Sequence, residues 1–171
     1  MLSVDFYSGI QILQQWKHLR STLTENLTDL EHLTTVVQFW SHCPLSKRIL
    51  DWDRPDLWAD PWKLIHNNRF DECAISLGMF YTLLLSADGR WNTERLKLML
   101  LKNTEQQFQG VVLEIDDHYI LNYDYNTVYE KHRLNRGIIV QRTYTYDNKV
   151  FSYPNLDNIT AYADINLTTV N

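Results

Sequence analysis

Cys73 is the residue best placed to do chemistry in this 171-residue chain. It stands in the run Asp71-Glu72-Cys73-Ala74-Ile75-Ser76, which reads as the opening of a buried helix. Asp71 suits the N-cap, and the unbonded N–H groups of the turn after it carry partial positive charge that favours a thiolate over a thiol. Such a thiol performs acyl transfer when a base takes its proton and an acid orients that base. The base on offer is His118, with Asp124 or Asp116 to orient it. His118 and Asp124 fall on one face of one expected strand, six residues apart, or about 20 Å at strand rise, which keeps them out of contact. Asp116 and Asp117 adjoin the histidine, but in a turn, where acids are commonly only solvated. The residues therefore favour no catalytic group: a free Cys opening a core helix is commonly a small buried apolar residue. The alternative is a peptidase or amidase with Cys73 as nucleophile and His118 as base.

Other groupings carry less. His42 and Cys43 are neighbours at a helix end and do not face each other. Glu114, Asp116, Asp117 and Asp124 are oxygen donors for a divalent cation, but only Asp116 and Asp117 are local to each other. His66 and His132 lie in polar segments without partner spacing. There is no Gly-rich phosphate loop, zinc signature or serine elbow, so no cofactor and no metal are expected. The two cysteines, Cys43 and Cys73, make neither a metal-ligand spacing nor a disulfide framework, which fits a reducing compartment.

A net charge of −5 with no basic run excludes a phosphate-backbone binder as the main role. Residues 1–10 lack the charged and apolar regions of a signal peptide, and no apolar stretch approaches membrane-spanning length. The expectation is a soluble protein, unexported by a signal peptide, with neither nucleic acid nor membrane as partner. Six Trp, ten Tyr and six Phe stand out. Large rings fill cores and also dominate protein interfaces. Trp52, Trp58 and Trp62, set in a Pro- and Asp-rich connector, are the candidate protein-binding residues.

The elements that must position these groups follow from periodicity. Ile12, Trp16, Leu19 and Leu23, then Leu30, Leu33, Val37 and Trp40, mark two amphipathic helices, the second opened by the capping-box run Thr28-Asp29-Leu30-Glu31 and ended before Pro44. Trp62 to His66 suits a short helical turn with Pro61 at its first position. The helix of Cys73, about residues 72–85, is apolar on nearly every side and reads as the centre of a single domain over residues 1–171. Residues 1–66 form its helical, Trp-rich part, and residues 67–171 add the central helix and a sheet. Beyond Asp88-Gly89 the rhythm turns to period two, with strands expected around 96–100, 111–115, 119–125, 137–146, 149–153 and 159–167. Asp116-Asp117 and Asp147-Asn148 supply turns. Helices first and strands afterwards spell α+β: N-terminal helices and a central buried helix on a mainly antiparallel sheet.

A Cys near the start of a buried helix, followed by antiparallel strands, resembles the papain-like and transglutaminase-like plan, most nearly the bacterial transglutaminase-like cysteine peptidases. The resemblance runs from Asp71 to Val128 and rests on the Asp-Glu-Cys-Ala start and the paired strands. It implies a His opening the first strand of a hairpin and an Asp on the returning strand. Here those places read as Gln109, before Val111-Val112-Leu113, and Asn122, in Ile120-Leu121-Asn122-Tyr123. Glutamine cannot accept and return a proton near neutral pH, so the implied triad is degraded. The runs from Cys43-Pro44-Leu45 to Asp60-Pro61-Trp62-Lys63-Leu64-Ile65-His66, Ala74 to Leu83 and Ile120 to Tyr125 resemble small proteins of tailed bacteriophages. That resemblance implies a setting, a virion or its assembly in the host cytoplasm, with a protein partner in a larger assembly.

Overall fold

The computed structural model describes residues 9–47 and 50–154. Four helices, α1 (Gly9–Thr22), α2 (Asp29–Trp40), α3 (Pro61–Asn67) and α4 (Glu72–Leu84), precede six strands. These are β1 (Leu96–Asn103), β2 (Phe108–Ile115), β3 (Tyr119–Leu121), β4 (Val128–Glu130), β5 (Ile138–Asp147) and β6 (Val150–Ser152). The strands form one antiparallel sheet in the order β4-β3-β2-β1-β5-β6. The architecture is α+β.

Caps explain the helix starts. Thr28 and Glu31 exchange the two bonds of a capping box at α2. Asp60 accepts from the Lys63 N–H ahead of Pro61, and Asp71 accepts from the Ala74 N–H. The hairpins follow from residues that tolerate positive φ. Asp116 and Asp117 take φ of 53° and 57°, a two-residue turn between β2 and β3, and Asn148 and Lys149 do the same between β5 and β6. The second turn thus lies one residue beyond the expected Asp147-Asn148.

Two expectations change. The strand expected over 119–125 ends at Leu121, because Asn122 adopts φ of 65° and turns the chain away from the ladder. The chain then returns as β4, which no alternation in the sequence marks. The expected strand over 159–167 lies outside the described residues.

Helix α4 is the hub. Cys73 through Leu83 are buried without a break, between the sheet on one side and α1, α2 and α3 on the others. Trp16 of α1 and Trp40 of α2 both donate their indole N–H to Thr82 Oγ1, at 2.9 and 3.1 Å, while that hydroxyl donates to the Gly78 carbonyl. The hydroxyl's donor and both acceptor sites are thereby used. Gly78 is what lets Trp40 approach, since a Cβ there would lie 2.3 Å from the ring. Full burial of two indoles is worth about 4–6 kcal/mol each as an upper bound. They hold α4 in place from outside. A second apolar layer, Met99, Leu101, Val112 and Ile120, lies on the opposite face of the sheet. No helix among the described residues is long and apolar enough to cross a membrane.

Candidate functional site

Cys73 sits in the first turn of α4, 5 % exposed. Its Sγ accepts the indole N–H of Trp52 at 2.7 Å and the backbone N–H of Val111 on β2. Trp52 is held over the thiol from behind: its carbonyl accepts from Tyr144 Oη at 2.9 Å and Arg142 Nη1 at 3.0 Å, both on β5. Arg142 also pairs with Asp53 at 2.6 Å. The flanking chain is anchored too, since Asp71 spends one carboxylate oxygen on the Ala74 N–H and the other on the Leu50 N–H at 2.6 Å.

The helix start was expected to favour a thiolate, and the structure reverses this. Burial pushes the Cys73 thiol up to about 11, with the Asp71 and Glu72 carboxylates adding to it. The Val111 and Trp52 N–H groups pull the other way and are outweighed. Removing a thiolate from water costs more than one helix turn returns. Cys43 is likewise buried and free, its thiol pushed up to about 12.

Gln109 and Asn122, where the resemblance implies a His and an Asp, are both amides. Gln109 is exposed on β2, and its Nε2 donates to Gln141 Oε1 at 2.7 Å, across β1. His118 lies beyond Ile115, past the far end of β2, where its ring packs on Tyr119 at 4.3 Å. Four residues of strand separate Ile115 from Val111 beside the thiol, about 13 Å. Asp116 faces Arg95 at 2.6 Å, and Asp117 pairs with Lys131, which also meets buried Glu114 at 2.7 Å. Asp124 is exposed outside any strand. Among the described residues no three His, Cys, Asp or Glu side chains gather as a metal site.

Asn122 does have a function, as a fastener. Its Nδ2 donates to the Glu72 carbonyl at 2.5 Å and to Ser76 Oγ at 2.8 Å, and Ser76 passes a bond to the Val111 carbonyl at 2.7 Å. The chain of bonds ties the end of β3 and the middle of β2 to the first turn of α4. A carboxylate could not do this, because it would face the Glu72 carbonyl with no hydrogen to offer.

The three connector tryptophans part company. Trp52 covers the thiol. Trp58 packs on Tyr144 and Phe151 at 4.7 and 5.2 Å and donates to the Asp51 carbonyl. Trp62 is 53 % exposed, edge-on to Trp16 and beside the Arg20 guanidinium. Sequence reasoning did not find Arg142, Tyr144 or Ser76, which lie far along the chain from what they hold. Nor did it find the groove of about 590 Å³ between the end of α2, the outer face of α4 and the loop after β3. The one signal for it was the Asn-Tyr-Asp-Tyr-Asn run at 122–126, aromatic and turn-forming together.

No family model and no curated protein sequence matches the chain. Solved structures do match. Legionella pneumophila LapG aligns over 95 % of this chain and 90 % of its own, with a TM-score of 0.64 and 11 % identity. The fold is the transglutaminase-like one. The calcium-bound form of LapG aligns over 85 % of this chain and 87 % of its own, with a TM-score of 0.62 and 11 % identity. The EGTA-treated form gives 88 % and 84 %, a TM-score of 0.64 and the same identity. At that identity the likeness concerns the fold of the backbone and says nothing of Gln109 or Asn122 as catalytic groups.

Proposed function

We propose that this chain is a catalytically silent transglutaminase-like domain that acts by binding protein, in a tailed-phage particle or its assembly. The observation that carries the first half is the closure of Cys73. A nucleophilic thiol must meet both a base and a substrate carbonyl. Here the sulfur is met by the Trp52 indole and the Val111 N–H, and the thiol is held protonated by burial. The positions that would supply proton transfer carry amides, and one of them, Asn122, is committed to holding the fold together. What remains is a scaffold rich in rings. The phage setting rests on the sequence resemblance alone.

The test is iodoacetamide labelling of the native chain at mildly acidic and neutral pH with site-resolved mass spectrometry, alongside light scattering of the chain with candidate virion proteins. Silence predicts no Cys73 adduct until the chain is unfolded, and a complex in place of a lone monomer. The fold and the helix-start cysteine favour a second reading, a cysteine peptidase or amidase with Cys73 as nucleophile and His118 as base. Rapid native alkylation of Cys73 at mildly acidic pH, abolished by His118→Ala, would establish it.

A further inference from the structure

A different face of α4 from the one that carries Cys73 forms the floor of the groove, and the groove sets rings and carboxylates beside apolar side chains. Its walls hold the rings of Phe108, Tyr123 and Tyr125 and the carboxylates of Glu72 and Asp124, with the apolar side chains of Val37, Ile75 and Met79 beneath. Among the described residues no Lys, Arg or His lines it. Both carboxylates belong to exposed residues, and neither makes an ion pair among the described residues. Tyr125 is 77 % exposed, and its hydroxyl donates to the Ser41 carbonyl at 2.9 Å across the groove. The two walls are fastened at their base by Asn122, which joins the loop to the backbone of Glu72 itself. Exposed rings held in place lose little entropy on contact, and rings beside carboxylates attract cations.

We propose that this groove seats an extended, cationic segment of a protein partner, with Arg or Lys side chains lying between Glu72 and Asp124 and against the Tyr123 and Tyr125 rings. The inference rests on the protein-binding reading and names the partner's chemistry. A volume near 590 Å³ exceeds what one side chain fills, so a stretch of polypeptide fits better than a single ion. Nucleic acid and anionic lipid would meet carboxylates and are repelled. Residues 1–8 and 155–171 contain no Lys or Arg.

The test uses the full chain and fluorescein-labelled, end-blocked nonapeptides of alternating Ala and Arg, with Gln and Glu versions of the same length, followed by anisotropy at low salt. The Arg peptide is expected to bind below about 1 mM and at least about tenfold more tightly than either control, with affinity falling as salt rises. The double variant E72Q/D124N should lose about tenfold, and Tyr125→Ala several-fold, while E25Q/E94Q, which removes exposed acids elsewhere, should stay within about twofold. Equal binding of all three peptides overturns the proposal. So does no binding below about 1 mM, equal loss in E25Q/E94Q, or self-association of the chain abolished by E72Q/D124N. The labelling of Cys73 is read separately: an inert thiol with no peptide binding removes only the groove, whereas a reactive thiol with Arg-selective binding removes only the silence.

Discussion

Trp52→Ala should turn Cys73 from an inert thiol into a reactive one. In the native chain the thiol is pushed up to about 11 from an ordinary 9.0. Each pH unit is a factor of ten in thiolate, so at neutral pH the native thiol holds about one hundredth of the thiolate of an open one. Access lowers the rate further, since the residue is 5 % exposed and the indole bonds its sulfur at 2.7 Å. Trp52→Ala removes the cover and admits water, so iodoacetamide labelling at pH 7.5 should rise by about 100-fold or more, up to the rate of a free thiol. Trp52→Phe separates cover from hydrogen bond: the ring still shields, but the N–H that favours the thiolate is gone, so labelling should remain as slow as in the native chain. Rates are read by mass spectrometry of the Cys73 peptide, with circular dichroism showing that each variant is folded and the Cys43 peptide as an internal buried thiol. Native labelling within a few-fold of a free thiol would refute the reasoning. A folded Trp52→Ala that stays inert would refute it equally, since cover by the ring would not be what silences the thiol.

Asn122→Asp should confer no hydrolytic activity, and it should destabilise the chain by about 1–3 kcal/mol by facing the Glu72 carbonyl with a carboxylate; a thermal melt unchanged within a degree would contradict this. Gly78→Ala places a Cβ against the Trp40 ring, 2.3 Å away in the present packing, and should cost about 1–3 kcal/mol or more in denaturant titration. Alkaline pH should unfold the protein. The folded pKa values of Cys73 and Cys43 lie above their ordinary 9.0, at about 11 and about 12, so the folded state holds protons that the unfolded state releases. Their contribution is full below pH 9 and is lost as pH rises towards 11 and 12, with a slope of up to about 1.4 kcal/mol per pH unit for each thiol. Chemical denaturation at pH 8, 9.5 and 11 reads this, and a flat midpoint would contradict it.

Legibility followed the range of the physics. The capping box at Thr28 and Glu31, Pro61 opening α3 and Asp71 capping α4 are contacts within four residues, and the sequence reads them correctly. The apolar run of α4 announced a hub because a helix apolar all round needs neighbours all round. β4 was missed because three half-buried residues, Val128 to Glu130, carry no alternation. The end of β3 was missed because Asn122 leaves the strand through its φ, whereas Tyr123 and Tyr125 keep the look of a strand.

The site divides along the same line. Composition and spacing by themselves determined the α+β class, the place of Cys73 at a helix start, and the amides at Gln109 and Asn122, all matters of local pattern and residue type. Only the tertiary structure decided that Cys73 is covered and held protonated. The cover comes from Trp52, fixed by Arg142 and Tyr144 of β5, about ninety residues further on. A thiol's pKa and access depend on what surrounds it in space, and local sequence cannot state which distant carbonyl a tyrosine will hold. The groove is tertiary in the same sense: its lining comes from α2, α4, β2 and the loop after β3, and only the packed chain sets these side by side.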